Sequence, residues 1–234
     1  SECSSWAATQ LISALGYVHY QGYVHRDIKP NNVLVTQVDE RPYIHLQLTD
    51  FGLARRYIDP DGSIRKCRKD GEVPFRGTKL YCTINDLKRN EHGRYDDLES
   101  LFYSIIYLSY KSKLPWKGNE ETNTLINLRQ NLKLRKISDK QDIYFDHVLE
   151  SFGRNVKGKQ YTDKPKYDKL LKEFLNLTKF KKDVDCFINY IGNKKFVESS
   201  AAKSPLETKP VQTAPKLLSF IPLPTNLMCT VPPK

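Results

Sequence analysis

The stretch that most constrains this chain is His25-Arg26-Asp27-Ile28-Lys29-Pro30-Asn31-Asn32, answered further on by Asp50-Phe51-Gly52. Polar side chains at this density around a proline ordinarily mark a solvated turn. The sequence between the two runs asks for more. Val33-Leu34-Val35 reads as a short strand, and Ile44, Leu46 and Leu48 alternate with His45, Gln47 and Thr49 as a second one. A polar turn around Asp39 to Pro42 separates them, which predicts a hairpin with Asn32 and Asp50 at its adjoining ends. Any fold of this chain must then gather a carboxylate (Asp27), an ammonium (Lys29), a carboxamide (Asn32) and a second carboxylate (Asp50) in one place.

The spacing H-R-D-x-x-x-x-N followed by D-F-G suits phosphoryl transfer, in which a protein mostly positions groups and neutralises charge. One carboxylate, Asp27, is placed to meet an incoming hydroxyl. Asn32 and Asp50 are hard oxygen donors of the kind that hold Mg²⁺ against a triphosphate. Lys29, two residues beyond Asp27 in an extended loop, can bring its ammonium to the transferred phosphate.

Composition narrows the class. A chain of 234 residues, 39% hydrophobic and 28% charged, can bury a full core and suggests one domain with an appendage. No run of about 18 apolar residues occurs, so no membrane span is expected, and the start lacks the pattern of a signal peptide. Met228 is the only methionine, which points to Ser1 as a cut or incomplete beginning. The cysteines Cys3, Cys67, Cys82, Cys186 and Cys229 are scattered without a C-x-x-C pair, arguing for a reducing compartment rather than a zinc site or disulfide framework. Apart from His25, the histidines read as ordinary surface or core residues. The net charge of +11 predicts attraction to acidic proteins, phosphorylated peptides or other polyanions, while much of the excess reads as a solvated lysine face. No helix-turn-helix, zinc-finger or RNP signature supports specific nucleic-acid binding.

Along the chain, Ser4 or Ser5 is expected to cap a helix running to about Tyr20, with Ala8, Leu11, Leu15 and Val18 at helical spacing and Gly22 ending it. Residues 53–81 are polar and basic, a long loop of the kind that carries function. Asp96-Asp97-Leu98 opens the most apolar helix, with Leu98, Leu101, Phe102, Ile105 and Leu108 predicted to face the core. Leu114-Pro115-Trp116 is expected to break it. Further helices are predicted around Leu125, Leu128 and Leu132, and around Tyr167, Leu170, Leu171 and Phe174. Residues 157–182 are rich in lysine, as a solvated face or a docking surface. Beyond about Val197 the Pro, Ser, Thr, Ala and Lys content predicts a disordered tail.

These runs together resemble casein kinase 1, particularly its tau-tubulin kinase branch. The resemblance rests on His25 to Asn32, Asp50-Phe51-Gly52-Leu53-Ala54-Arg55, Phe75-Arg76-Gly77-Thr78, Tyr95-Asp96-Asp97-Leu98-Glu99-Ser100-Leu101 and Leu114-Pro115-Trp116. Where most kinases carry A-P-E, that family has S-I-N, and this chain has Thr83-Ile84-Asn85. The resemblance covers about residues 4–180. It implies a mainly α fold, a protein-kinase-like C-terminal lobe with a short β-hairpin at the catalytic loop. It divides the chain into a partial kinase domain, 1–183, and an extension with a largely disordered tail, 184–234.

Residue by residue, the resemblance implies Asp27 as catalytic base, Lys29 as phosphate contact, and Asn32 and Asp50 as Mg²⁺ ligands. Leu34 matches the residue beneath the adenine of ATP. His25 and Arg26 belong to the supporting framework, with Asp97 bracing the catalytic loop and Thr78 bonding near Asp27. Lys29 also implies Ser/Thr rather than Tyr substrates. Two departures stand out. Leu80 occupies the place of a family Arg that helps bind an anion, which leaves acidic or phosphorylated substrates an open preference, with Lys79 and Arg76 as the nearby cations. Only residues 1–24 precede His25, with no Gly-rich loop or strand lysine among them, so the chain is expected to represent a C-terminal lobe alone. The expected activity is that of a serine/threonine protein kinase using ATP and Mg²⁺, monomeric, in the cytoplasm or also the nucleus. The rival expectation is an inactive kinase-like module that docks partners through its basic face.

Overall fold

The computed structural model describes residues 2–37, 44–138 and 142–177. In chain order the elements are α1 (Glu2–Tyr20), β1 (Tyr23–Val24), β2 (Val33–Gln37), β3 (Ile44–Leu48), β4 (Arg55–Arg56), α2 (Ile84–Leu87), α3 (Arg94–Ser109), α4 (Thr122–Gln130), α5 (Ile143–Val156) and α6 (Tyr167–Leu175). Short 3-10 turns occupy Pro30–Asn32, Phe51–Leu53 and Leu134–Lys136. The fold is mainly α, as expected, and among the described residues the strands form two small antiparallel ribbons.

Helix α1 buries Ala8, Leu11, Ile12 and Leu15 on one face and packs against α3, α6 and β3. Its start differs from expectation: the helix is already under way at Glu2, so Ser4 and Ser5 lie inside it. Ser5 is fully buried, and Ser4 Oγ accepts from Ser109 Oγ at 3.1 Å. Small side chains at this crossing serve the packing of α1 on α3, and tertiary contact overrides the capping preference. Gly22, at φ +85°, turns the chain out of the helix and into β1.

The expected hairpin is present, with β2 and β3 paired from Val33↔Leu48 to Gln37↔Ile44. Its connecting turn lies outside the described residues. The Thr49 N–H donates to the Asn32 carbonyl at 2.9 Å, closing the hairpin at the end that matters for the site. β1 pairs with β4, tying the chain just before His25 to the chain just after Leu53.

Helices α3, α5 and α6 build the centre. Phe102 meets Phe152 at 6.2 Å between ring centroids, and Phe152 meets Phe174 at 5.3 Å, both edge to face. A Cβ on Gly153 would fall 2.6 Å from Phe102 Cζ, so the absence of a side chain there lets α5 close on α3. Helix α5 was not among the predicted elements, although Phe145, Leu149, Phe152 and Val156 are all buried. Leu108 is 61% exposed, contrary to expectation. Ten residues on from Leu98 it has drifted to the edge of the apolar stripe, and Ile106 takes the core position instead. The break after α3 also comes earlier than Leu114-Pro115-Trp116. The helix ends at Ser109, and Lys111 and Ser112 turn through positive φ. Trp116 then enters the core, its Nε1 donating to the Leu80 carbonyl at 2.8 Å. Leu132 lies beyond α4 rather than on it. The proposed tail and the boundary at 183 fall outside the described residues. Among the described residues, no helix is long and apolar enough to cross a membrane.

Candidate active site

Asp27 is 8% exposed, and each of its carboxylate oxygens accepts at least one hydrogen bond. Its Oδ2 accepts from Lys29 Nζ at 2.7 Å, and its Oδ1 accepts from Thr78 Oγ1 at 2.8 Å. Lys29 Nζ also reaches Thr78 Oγ1 at 3.0 Å. Asn32 Nδ2 donates to the Asp27 carbonyl at 2.9 Å and approaches Oδ2 at 3.3 Å. Four of the sequence-predicted residues thus converge, with Thr78 arriving from the far end of the long loop. Gly77 makes that arrival possible. It sits at φ +88°, and a Cβ would come within 2.6 Å of the Arg26 carbonyl.

The loop's backbone is held from beneath. Asp97 is fully buried; its Oδ2 accepts the His25 N–H at 2.7 Å and its Oδ1 the Arg26 N–H at 2.8 Å. These bonds stabilise Arg26 at φ 71°, a strained conformation for a side-chain-bearing residue. His19 Nε2 lies 2.8 Å from Asp97 Oδ2, and His92 Nε2 lies 3.0 Å from Asp97 Oδ1. Burial alone would raise the Asp97 carboxyl, yet the hydrogen bonds from His19 and His92, and the charge of His92, hold it well below the usual carboxylate range. Burial lowers His19, which fits a neutral ring donating to Asp97 and accepting from the Tyr167 hydroxyl. His25, also fully buried, presents Nε2 to the Thr49 carbonyl at 2.9 Å, while its Nδ1 accepts the Asp27 N–H at 3.3 Å. Its ring lies 4.8 Å from that of Phe51. Arg26 Nε donates to the Leu53 carbonyl at 2.6 Å, so His25 and Arg26 both bind the D-F-G turn to the loop.

The far side of the site is more open. Asp50 is exposed, in a left-handed conformation, and one of its oxygens accepts the Gly52 N–H at 3.3 Å. Asn32, its Nδ2 engaged with Asp27, retains the carboxamide oxygen as a donor to a cation. Among the described residues no group of three or more His, Cys, Asp or Glu could hold a metal by itself. An oxygen pair such as Asn32 and Asp50 fits Mg²⁺, which takes one or two protein oxygens and completes its shell with water and phosphate. Leu34 is 50% exposed on β2, an apolar surface suited to a flat ring.

The loop from 53 to 81 is anchored rather than loose. Tyr57 is buried and its hydroxyl donates to the His19 carbonyl at 2.6 Å. Glu91 takes a two-pronged contact from Arg68, at 2.7 and 2.8 Å, and Arg55 stands 3.8 Å away. A cleft here is lined by Arg26, Arg68, Arg76, Arg89, Asp86 and His92 among others. Burial, and then the nearby Arg55 and Arg68, lower the Arg26 guanidinium, a sign of crowded positive charge. Lys79 is instead paired with Glu120 at 2.7 Å.

Thr83-Ile84-Asn85 has a physical partner. Asp96 accepts from Thr83 Oγ1 at 2.9 Å, Asn85 Nδ2 at 3.1 Å and the Gly93 N–H at 2.8 Å. Arg129, fully buried, donates to the carbonyls of Lys79 and Cys82 at 2.5 and 3.0 Å, with its guanidinium 4.5 Å from the Trp116 ring. Sequence reasoning missed His19, His92, Asp96 and Arg129 as parts of this framework. Only the adjacency of Asp96 to Asp97 offered a local signal.

Residues 2–182 match the protein kinase domain. The chain is 33% identical over 166 residues to a probable casein kinase I homolog of Encephalitozoon cuniculi, covering 68% of this chain and 48% of that protein. It is 33% identical over 158 residues to a probable serine/threonine-protein kinase of Dictyostelium discoideum, covering 68% of this chain and 30% of the other. The chain therefore belongs to the protein kinase family, whose members in general use ATP and Mg²⁺ and act on protein substrates. It spans about half the length, or less, of these relatives.

Proposed function

We propose that this chain is the catalytic-loop lobe of a serine/threonine protein kinase of casein kinase 1 type, transferring the γ-phosphoryl group of ATP to protein hydroxyls. The observation that carries the proposal is the clamping of Asp27 between Thr78 and Lys29, with Asn32 bonded to its carbonyl. Asp27 is the base that accepts the substrate hydroxyl proton. Lys29 offers its ammonium to the transferred phosphate, and Thr78 fixes the carboxylate that must meet the hydroxyl. Asn32 and Asp50 are the oxygen donors for Mg²⁺, and Leu34 is the apolar surface under adenine. Mg²⁺ and ATP, when bound, supply the phosphoryl group and the neutralisation of its charge. His25, Arg26 and Asp97 support the loop from behind. The arginine-lined cleft beside Arg26 supports acidic or phosphorylated protein substrates, and Lys79 stands in an exposed ion pair with Glu120. The kinase unit is taken to run to about residue 183.

A second reading, an inactive module that docks partners, is favoured by the exposure of Leu34 and Asp50 on the nucleotide side. Transfer of labelled phosphate from ATP to casein separates the two. Asp27→Asn keeps the shape of the side chain but removes the proton acceptor, and transfer is expected to fall at least about 10²-fold. Unchanged transfer would remove Asp27 from the role of base. A wild-type chain that transfers nothing under these conditions would favour the docking module.

A further inference from the structure

His92 lies buried between carboxylates from two different elements. Its Nδ1 is 2.7 Å from Asp86 Oδ1 in α2, and its Nε2 is 3.0 Å from Asp97 Oδ1 in α3. A ring that faces a carboxylate at each nitrogen donates at both, so it holds two protons and a positive charge. The Asp97 oxygen it touches also accepts the Arg26 N–H. Asp86, through its other oxygen, accepts from the N–H of Thr83 at 2.8 Å. An unbroken path of hydrogen bonds therefore runs from Thr83, through Asp86, His92 and Asp97, to the backbone that carries Asp27.

We propose that His92 is a positioning residue, an imidazolium link that ties α2, at the end of the loop bearing Thr78, to the backbone of the loop bearing Asp27. Its bearing on catalysis rests on the phosphotransfer reading; the link itself can be measured without activity.

The charges around the ring decide how the link responds to pH. Asp86 faces it from α2, Asp97 and the neighbouring Asp96 from α3, and neutral His19 acts on it from α1. Arg94, at the start of α3, acts on the same group of buried residues, and Arg26, Arg68, Arg76 and Arg89 line the adjoining cleft. Burial opposes a charged ring, but the two directly bonded carboxylates, Asp86 and Asp97, outweigh it and hold His92 well above the usual histidine range. A raised pKa gives stability that is fully present below the ordinary histidine value and is lost as pH rises through the raised one. The link is therefore closed at neutral pH and opens on the alkaline side.

The test is nitrogen NMR of the histidines in the 234-residue chain, with amide exchange measured in the same protein. At pH 7.5 both nitrogens of His92 are expected to be protonated, with His19 neutral, and Asp86→Asn should lower the pH at which His92 loses its proton. His92→Ala should raise exchange at the His25 and Arg26 amides at least about tenfold, with the Leu101 and Ile105 amides of α3 changing less than about twofold. A neutral His92 at pH 7.5 would overturn the proposal, whether or not the variant folds. So would unchanged exchange at His25 and Arg26, or a uniform rise across α3, which a brace of the whole fold would give. A wild-type chain without phosphotransfer would remove the catalytic meaning and leave these signals, and hence the link, in place.

Discussion

The two sides of the site are built differently. Beneath Asp27, the buried Asp97 carboxylate collects two backbone N–H groups and two imidazoles, all within hydrogen-bond distance. Across from it, Asp50 and Leu34 stand exposed, and Asp50 receives one long N–H contact. A buried, fully partnered group is costly to disturb, whereas an exposed carboxylate can be replaced at little cost to the fold. Under the proposed function, the buried side sets the geometry of proton transfer and is fixed in advance, and the exposed side is the one that would meet incoming phosphate and metal.

The contrast breaks most visibly at Asp97. Asp97→Ala strands the His25 and Arg26 N–H groups and leaves His92 with a single carboxylate, so denaturant unfolding should show a loss of about 3–5 kcal/mol. If the loss were below about 1 kcal/mol, the buried side would be no more tightly built than the exposed one.

The next effect concerns pH. Burial raises the Glu99 carboxyl to about 7, against an accepted hydrogen bond from the Tyr103 hydroxyl at 2.5 Å. Between the ordinary glutamate value and this one, the folded state binds more protons than the unfolded state, so stability falls as pH rises through that window. Glu99→Gln should flatten the decline, which is expected to reach on the order of 2–3 kcal/mol. Asp97 has the opposite sign: its lowered carboxyl contributes above the ordinary aspartate value and loses that contribution as pH falls through the folded one.

Thr83→Ala is a milder cut. It removes the cap of α2, in which Thr83 Oγ1 accepts the Asp86 N–H, and one of the bonds to Asp96. A loss of about 1 kcal/mol is expected in the same unfolding measurement. Asp50→Asn sits at the bottom of the series, within about 0.5 kcal/mol of wild type, because nothing buried depends on the carboxylate and Asn tolerates the left-handed backbone there.

The same contrast explains what could be read from the sequence. The convergence of Asp27, Lys29 and Asn32, and the placing of Asp50 just beyond the hairpin end that meets Asn32, were legible because the hairpin showed in its period-two alternation. Leu98, Leu101, Phe102 and Ile105 declared the core face of α3 through local spacing. Helix α5 also carried such spacing, in Phe145, Leu149, Phe152 and Val156, together with Asp142 accepting the Phe145 N–H at its start, and it could have been found the same way. His19 and His92 could not. Their meaning comes from Asp97, far away in sequence, and no periodicity marks a histidine that meets a distant carboxylate. The capping expectation for Ser4 and Ser5 failed for a related reason, since the neighbour that selects small side chains there is α3.

The most direct measurement is calorimetry of ATP binding to the 234-residue chain, with and without Mg²⁺, for wild type, Asp50→Ala and Asp27→Asn. Metal-dependent binding that disappears in Asp50→Ala and persists in Asp27→Asn is the expected result, since the proposed function puts Asp50 at the nucleotide and Asp27 at the hydroxyl. Binding that survives Asp50→Ala, or that never requires Mg²⁺, would contradict the division of the site into a prebuilt proton-accepting side and an accessible nucleotide side.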